Sequence, residues 1–280
     1  MKRILRKTKF ITIVVFIIFT VVASNGISHH QLVTNAQVVN KCLPTDSVSC
    51  NDTSKYPILS APNPNLKLSN QERFLSAIAN KLPTVPQPGT FEYTLLHAYG
   101  AAFVNQDTAT KLPSKVIFAD EQETQDFQNT LTMEKVNETN DCYLQKSAAD
   151  ALNKAQTLQK ISLKSGYGQG DCTRSFGTNL KFWHKYANDK TLDKVKQGKE
   201  TKILGLVAPP GTSQHLWGLA IDLRIANQKQ REALYQNGWF QTVESDVPHW
   251  TYIGLSKEDL PLFGFKNKVV RGISYWLTPL

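Results

Sequence analysis

Two histidines and two aspartates lie within a 35-residue window in the second half of the chain. Zinc in proteins is bound by imidazole nitrogen and carboxylate oxygen, and a catalytic zinc site has three protein ligands and an open position for water. His215, Asp222 and His249 can supply these three ligands, and Asp246 is then left close by as a base for the water. The pattern therefore predicts a zinc hydrolase.

The spacing of the first two candidate ligands requires a change of chain direction. Asp222 follows His215 by seven residues, so no single face of a helix or strand brings the two side chains together. A turn at Gly218 that leads into a strand would do so. Apolar residues alternate with others over 219–225, as in a half-buried strand. Asp222 is therefore expected to point away from the apolar face, toward a cleft.

The elements around these residues indicate an α+β fold. A capping-box pattern at residues 69–72, followed by apolar residues on one face, predicts a helix that begins at Ser69. A helical N-terminal half is expected to pack on a small, mainly antiparallel sheet that carries the zinc site. Further helices are predicted at 93–104, 121–131, 143–160 and 227–237 (with Gly238 as a left-handed C-cap), and strands at 116–118, 203–207, 219–225, 239–243 and 248–253.

The N-terminus resembles an export signal. Five Lys or Arg side chains in the first nine residues precede an apolar run over 10–23 and the small polar residues 24–26. This run is shorter than the ~20 residues of a membrane span. Residues 1–26 are therefore expected to be a signal peptide, with an uncleaved N-terminal anchor as the alternative. The rest of the chain would lie in the periplasm, the cell envelope or the extracellular medium, with residues 27–66 as an extended tether.

The charge balance limits the classes of partner. The formal net charge is +9, but five of these charges belong to the signal-like segment. The remaining excess favours steering toward anionic cell-wall polymers or a membrane surface, with a merely soluble surface as the alternative. Basic residues do not form a stripe interleaved with aromatics, so a nucleic-acid partner is not expected. Contact with a membrane is expected only through the N-terminal anchor, and the oligomeric state stays open.

Four cysteines are present, and none forms a Cys-x-x-Cys pair, so a cysteine zinc site is not indicated. An even number in an exported chain suggests two disulfides, for which three connectivities exist. We favour Cys42–Cys50, which closes a local loop, and Cys142–Cys172, which ties a helix to a loop of the site. Free buried thiols are the alternative.

The pattern Ser-x-His-x-x-Gly-x-Ala-x-Asp over 213–222, followed by Asp-x-Pro-His over 246–249, resembles the zinc D-alanyl-D-alanine carboxypeptidase family. This family includes vancomycin-resistance carboxypeptidases and phage L-alanyl-D-glutamate endopeptidases, and it shares its metal site with hedgehog signalling domains. The similarity covers about residues 161–255. It implies His215, Asp222 and His249 as zinc ligands and Asp246 as the general base, at a position where many relatives have Glu.

A second part of the resemblance concerns a substrate-binding arginine. Residues 165–167 (Ser-Gly-Tyr) resemble the start of the family signature Ser-Gly-Tyr-Arg-Ser, whose arginine contacts the substrate. In this chain Gly168 takes the place of the arginine, and Arg174 comes only later. Either a loop pinned by Cys172 brings Arg174 back to the site as a catalytic residue, or the substrate arginine is missing.

The resemblance implies an exported zinc-dependent peptidase that cleaves peptidoglycan stem peptides, most closely a D-alanyl-D-alanine carboxypeptidase. An L-alanyl-D-glutamate or other cell-wall endopeptidase is one alternative, and a non-catalytic zinc-stabilised cell-wall-binding module is another. Residues 67–280 are predicted to form a single catalytic domain. It would consist of a helical part at 67–160, a zinc-peptidase core at 161–265 and a C-terminal tail at 266–280.

Overall fold

The structure, a computed structural model, describes residues 65–280. The signal or anchor, nearly all of the tether and the Cys42–Cys50 pairing lie outside these residues. Within the described part, no helix is long and apolar enough to cross a membrane.

The N-terminal part of the described chain is mainly helical. Ser69 caps the first helix with the expected capping box, because its hydroxyl accepts from the Glu72 amide while the Glu72 carboxylate accepts from the Ser69 amide. Such a cap stabilises a helix by about 1 kcal/mol. The elements are α1 (Asn70–Ile78), α2 (Phe91–Tyr99), which continues as a 3-10 helix (Gly100–Val104), α3 (Glu121–Gln128), the antiparallel strands β1 (Met133–Lys135) and β2 (Tyr143–Gln145), and α4 (Lys146–Leu158).

The following part contains the main sheet, a four-stranded antiparallel sheet with the strand order β3-β4-β6-β5. The α+β prediction is confirmed. The elements are β3 (Ser162–Leu163), α5 (Gly168–Asp171), α6 (Phe176–Tyr186), α7 (Asp189–Lys196), β4 (Ala220–Arg224), α8 (Gln228–Tyr235), β5 (Trp239–Phe240), β6 (His249–Tyr252), and the hairpin β7 (Lys266–Val270) and β8 (Ile273–Leu277). Short 3-10 helices cover Lys202–Gly205, Gln214–Trp217 and Leu260–Phe263.

Several predicted elements are wrong in type or bounds. Residues 116–118 form no strand, and the Phe118 amide instead donates to the Gly211 carbonyl. The apolar run 203–207 is not a strand, because the amides of residues 206 and 207 both bond locally to the Ile203 carbonyl. Residues 143–145 pair as β2, so the helix predicted from 143 begins only at Lys146. The helix predicted at 227–237 covers only Gln228–Tyr235, while Gly238 beyond it has the predicted left-handed conformation, with a φ of 75°.

The hydrophobic core joins the N-terminal helices to the sheet. Phe103, from the 3-10 helix after α2, packs on Trp217 with ring centroids 5.2 Å apart. Phe74 of α1 meets Phe265 edge-to-face at 5.8 Å. The hairpin β7–β8 is also attached, because the Trp276 amide donates to the Gln241 carbonyl. The N-terminal helices and the C-terminal hairpin therefore support the elements that carry the candidate site.

Candidate metal centre

The segment around Gly218 turns the chain so that His215 faces Asp222. His215 lies in the 3-10 helix Gln214–Trp217, which Ser213 caps and which ends at Gly218 with a φ of 66°. This left-handed conformation favours glycine, because any Cβ would crowd the backbone. The chain then enters β4, and His215 Nε2 lies 3.4 Å from Asp222 Oδ1. The predicted turn is confirmed.

The register of the sheet brings the third candidate ligand to the same point. Asp222 on β4 is directly opposite His249 on β6. His249 Nδ1 lies 3.7 Å from Asp222 Oδ1 and 3.2 Å from His215 Nε2. All three side chains are buried, and they are the only such group of His, Cys, Asp or Glu within residues 65–280. The structure thus brings together the three residues that the sequence predicted as ligands.

The donor set fits a zinc ion. His215 Nδ1 lies 2.8 Å from the Cys172 carbonyl, which can only accept, so the ring hydrogen is on Nδ1 and Nε2 presents its lone pair inward. Burial and the nearby Arg174 charge lower the pKa of His215 to about 4, so the ring is neutral at pH 7. Bonds of 2.0–2.1 Å to tetrahedral zinc place ligand atoms about 3.3–3.4 Å apart. The separations between the three inward atoms are close to this value.

Arg174 contacts the other oxygen of Asp222. Its Nη2 donates to Asp222 Oδ2 at 2.6 Å and its Nε donates to the Gly170 carbonyl at 2.8 Å, while the guanidinium lies 4.7 Å from the Phe182 ring centroid. Burial would raise the pKa of Asp222, but this pKa is held well below its ordinary value, and the permanently charged Arg174 guanidinium, which donates to Oδ2, stabilises the carboxylate. Asp222 is therefore ionised, with Oδ1 directed toward the two histidines.

A disulfide holds the loop that delivers Arg174. Cys142 and Cys172 are bonded, with their Cα atoms 5.5 Å apart, as predicted. Near the start of the loop, the amide and hydroxyl of Ser165 both donate to Asp171 Oδ2 at 2.7 Å. Of the two alternatives for the arginine, the structure shows the first, in which the loop returns Arg174 to the site. Its contact with substrate stays a prediction.

Asp246 lies beside the three candidate ligands, in the loop that precedes β6. Burial is the main cause that raises its pKa to about 6. Among residues 65–280 its carboxylate has no hydrogen-bond or ion-pair partner. A half-buried carboxylate with an elevated pKa and free oxygens is suited to accept a proton near neutral pH. Its role as the base stays a prediction.

A cleft of about 220 Å³ opens above this group. Lys164 lines it, and this side chain has no ion pair within the described residues. Exposed apolar side chains at Tyr186, Leu206 and Val247 also line the cleft. The sequence reasoning missed Lys164, although it directly precedes the Ser-Gly-Tyr pattern. It also missed Gln214, which stands between two motif residues at a position that the motif leaves open.

An α+β domain with a buried His–Asp–His group at the base of a cleft has the arrangement of a metal-dependent hydrolase. Residues 141–255 match the family model of D-alanyl-D-alanine carboxypeptidase, VanY. The matched residues include all five predicted site residues, and the resemblance predicted from the sequence is confirmed. At the family level, this match supports a D-alanyl-D-alanine carboxypeptidase-like cell-wall peptidase. No curated protein matches the chain.

Proposed function

We propose that this protein is an exported, zinc-dependent D-alanyl-D-alanine carboxypeptidase that acts on peptidoglycan stem peptides. The observation that carries the proposal is the convergence of His215, Asp222 and His249 on one point at the base of the cleft, with Asp246 beside them. Export is supported by the signal-like pattern over residues 1–26.

The residues of the chain divide the chemistry of peptide hydrolysis between them. A zinc ion bound by the three ligands would supply Lewis-acid chemistry, which lowers the pKa of water toward ~7 and polarises the peptide carbonyl. Asp246 accepts a proton from the attacking water and returns it to the leaving amine as the C–N bond breaks. Arg174 is held by Gly170 and Asp222 at the cleft wall, where its charge stabilises negative charge that develops on the carbonyl oxygen.

Lys164 favours removal of a C-terminal residue over cleavage inside a chain. It is an unpaired cation in the cleft among the described residues, and Arg174 already has a carboxylate partner in Asp222. A free carboxylate at the end of a peptide would give Lys164 its counter-ion. An internal peptide bond brings no such charge. The unpaired charge of Lys164 in the cleft therefore supports the carboxypeptidase proposal over the endopeptidase alternative.

Mass spectrometry of muropeptides that end in D-alanyl-D-alanine, incubated with the zinc-loaded protein, tests the proposal. We expect the loss of one alanine. Asp246→Asn, which keeps the shape of the side chain but removes the base, should lower the rate by about 10²-fold or more while zinc stays bound. Lys164→Ala should raise KM for peptides with a free carboxylate and leave peptides with an amidated end unaffected.

Other outcomes of this experiment would support one of the alternative functions. An internal cut would identify a cell-wall endopeptidase, and equal rates for Asp246→Asn and the unchanged protein would refute the base assignment. Bound zinc without any cleavage would identify a non-catalytic module.

A further inference from the structure

The outer nitrogen of the His249 ring contacts a fully buried glutamine. His249 Nε2 lies 2.8 Å from Gln214 Oε1, and the Gln214 side chain has no exposed surface. The hydrogen on a histidine ring can be on either nitrogen, so the partner of the outer nitrogen decides which nitrogen faces a metal as a lone pair. The orientation of the Gln214 amide therefore determines whether His249 can be a ligand through Nδ1.

The other end of the amide fixes this orientation. Gln214 Nε2 lies 2.6 Å from the backbone oxygen of Tyr99, and a carbonyl oxygen can only accept. The NH2 group must face Tyr99, which leaves Oε1 to face His249. Because Oε1 can only accept, the His249 hydrogen must be on Nε2. His249 Nδ1 then presents its lone pair to His215 and Asp222.

Two buried threonines reinforce the same assignment. Thr251 Oγ1 donates to Gln214 Oε1 at 2.9 Å and lies 2.8 Å from Thr242 Oγ1. Since Thr251 uses its only hydrogen on Gln214, Thr242 must donate to Thr251. Every donor around Oε1 is thus directed at it. A buried network in which each group has a partner holds a single arrangement.

The two fixed ring hydrogens determine the electrostatics at the point where the three candidate ligands meet. Cys172 fixes the hydrogen of His215 on its outer nitrogen, and Gln214 does the same for His249. The two inward nitrogens, 3.2 Å apart, therefore both present lone pairs beside an ionised carboxylate. Three acceptors that face one point are stabilised by a cation bound between them.

We propose that Gln214 is a positioning residue that fixes the tautomer of His249, so that Nδ1 binds the metal, and that α2 is part of the metal site through the Tyr99 carbonyl. The proposal rests on the zinc site of the proposed function and extends it. Tyr99 lies outside residues 141–255, so the N-terminal helical part takes part in a site whose ligands all come from the matched domain.

Long-range nitrogen–proton NMR correlations of the histidine rings in the full-length protein, metal-free and zinc-loaded, test the tautomer directly. A His249→Gln sample assigns the signals. We expect the His249 hydrogen on Nε2 in both states and a zinc-induced shift at Nδ1. A hydrogen on Nδ1 in the metal-free protein, or a zinc-induced shift at Nε2, would overturn the proposal. A protein that binds no zinc but has the hydrogen on Nε2 would count against the proposed function while supporting the tautomer assignment.

Zinc affinity, measured by competition with a chromophoric chelator, tests the role of the side chain. Gln214→Met keeps the length but removes the acceptor, and we expect it to bind zinc about 10–100-fold more weakly. Gln214→Glu restores an acceptor for the Nε2 hydrogen, and a buried, protonated carboxyl can still donate its O–H to the Tyr99 carbonyl, so this variant should recover most of the affinity. The matched control is Thr110→Val, which removes a buried hydroxyl that donates to Asp107, outside the Gln214 network, and should leave the affinity unchanged.

The thermal transition of each metal-free variant separates loss of fold from loss of the tautomer. Equal zinc affinity in Gln214→Met and the unchanged protein would refute the proposal. If Gln214→Met does not fold, Gln214→Glu decides, because a folded Gln214→Glu protein with weak zinc binding would contradict the role of the acceptor.

Discussion

At the scale of single residues, the raised pKa of Asp246 suits proton transfer near neutral pH but lowers the stability of the folded protein. The unfolded chain ionises this group near its ordinary pKa of 3.8, whereas the folded protein raises the pKa to about 6. Below pH 4 the acid is neutral in both states and costs nothing. As the pH rises from about 4 to about 6, the unfolded chain loses its proton first, so the folded state loses relative stability. Above pH 6 the full cost is present.

Asp246→Asn is therefore expected to stabilise the metal-free protein at pH 7. The expected gain is about 1–3 kcal/mol, since each pKa unit corresponds to ~1.4 kcal/mol and the group is only half-buried. The gain should disappear below pH 4. Urea unfolding of both proteins with a chelator present, at about pH 3 and about pH 7, measures it. An equal difference at the two pH values would show that the carboxylate charge is not the cause.

The residues of the centre could be predicted because their types and spacing are unusual together. The side chains of His215, Asp222 and His249 are common zinc ligands. The alternation of apolar and other residues around Asp222 indicated that it lies on a strand. Gln214 could not be predicted, because its importance depends on the Tyr99 carbonyl, which is 115 residues away in the chain. A single sequence does not reveal which distant backbone group meets a given side chain.

At the scale of elements, the loop from Ser165 to Arg174 serves the site twice. Its Cys172 carbonyl accepts from His215 Nδ1, and its last residue contacts Asp222. The disulfide to Cys142 fixes this loop against β2. A bridge that closes a loop of 30 residues contributes about 3.6 kcal/mol in the chain-entropy model.

Removal of this disulfide is expected to weaken zinc binding as well as the fold. For Cys142→Ala/Cys172→Ala we expect a zinc affinity about tenfold lower, because the His215 ring loses a fixed acceptor. Chelator competition measures it, and Cys42→Ala/Cys50→Ala is the control that removes the same number of cysteines. Unchanged zinc affinity in a folded Cys142→Ala/Cys172→Ala protein would show that the loop keeps its position without the bridge.

Elements with strong local signals were predictable, and those defined by distant partners were not. The capping box at Ser69 and the alternation over 219–225 gave a correct helix start and strand. The apolar run 203–207 has no periodicity, and its side chains divide between the core (Leu204) and the open cleft (Leu206). The predicted tail at 266–280 forms a hairpin, because its strands pair with each other and then attach at Gln241.

At the scale of the whole molecule, the matched domain is not self-sufficient. Its Trp217 packs on Phe103, and the core continues through Phe74 and Phe265. These three phenylalanines all lie outside residues 141–255. Cutting the chain at 141 and 255 would expose these apolar faces to water, at roughly 25 cal/mol per Å². The segment that carries all three candidate ligands is therefore expected to depend on the residues before and after it.

We expect residues 65–280 to unfold in one cooperative thermal transition and residues 141–255 alone to show none. Circular dichroism during heating, with and without zinc, measures this. A sharp transition in the short fragment, together with zinc affinity equal to that of residues 65–280, would show that the surrounding parts are dispensable.

The contact between Tyr99 and Gln214 also has a consequence for the kinetics of folding. It closes a loop of more than a hundred residues, and the contact between Phe74 and Phe265 closes a longer one. Contacts so distant in sequence slow folding, because the entropy of closing each loop is lost before its contacts are gained. If Gln214 has the proposed role, tight metal binding is expected only after α2 has met the segment that carries Gln214. A chain still being synthesised lacks His249 until late, so we expect it to bind such an ion only weakly.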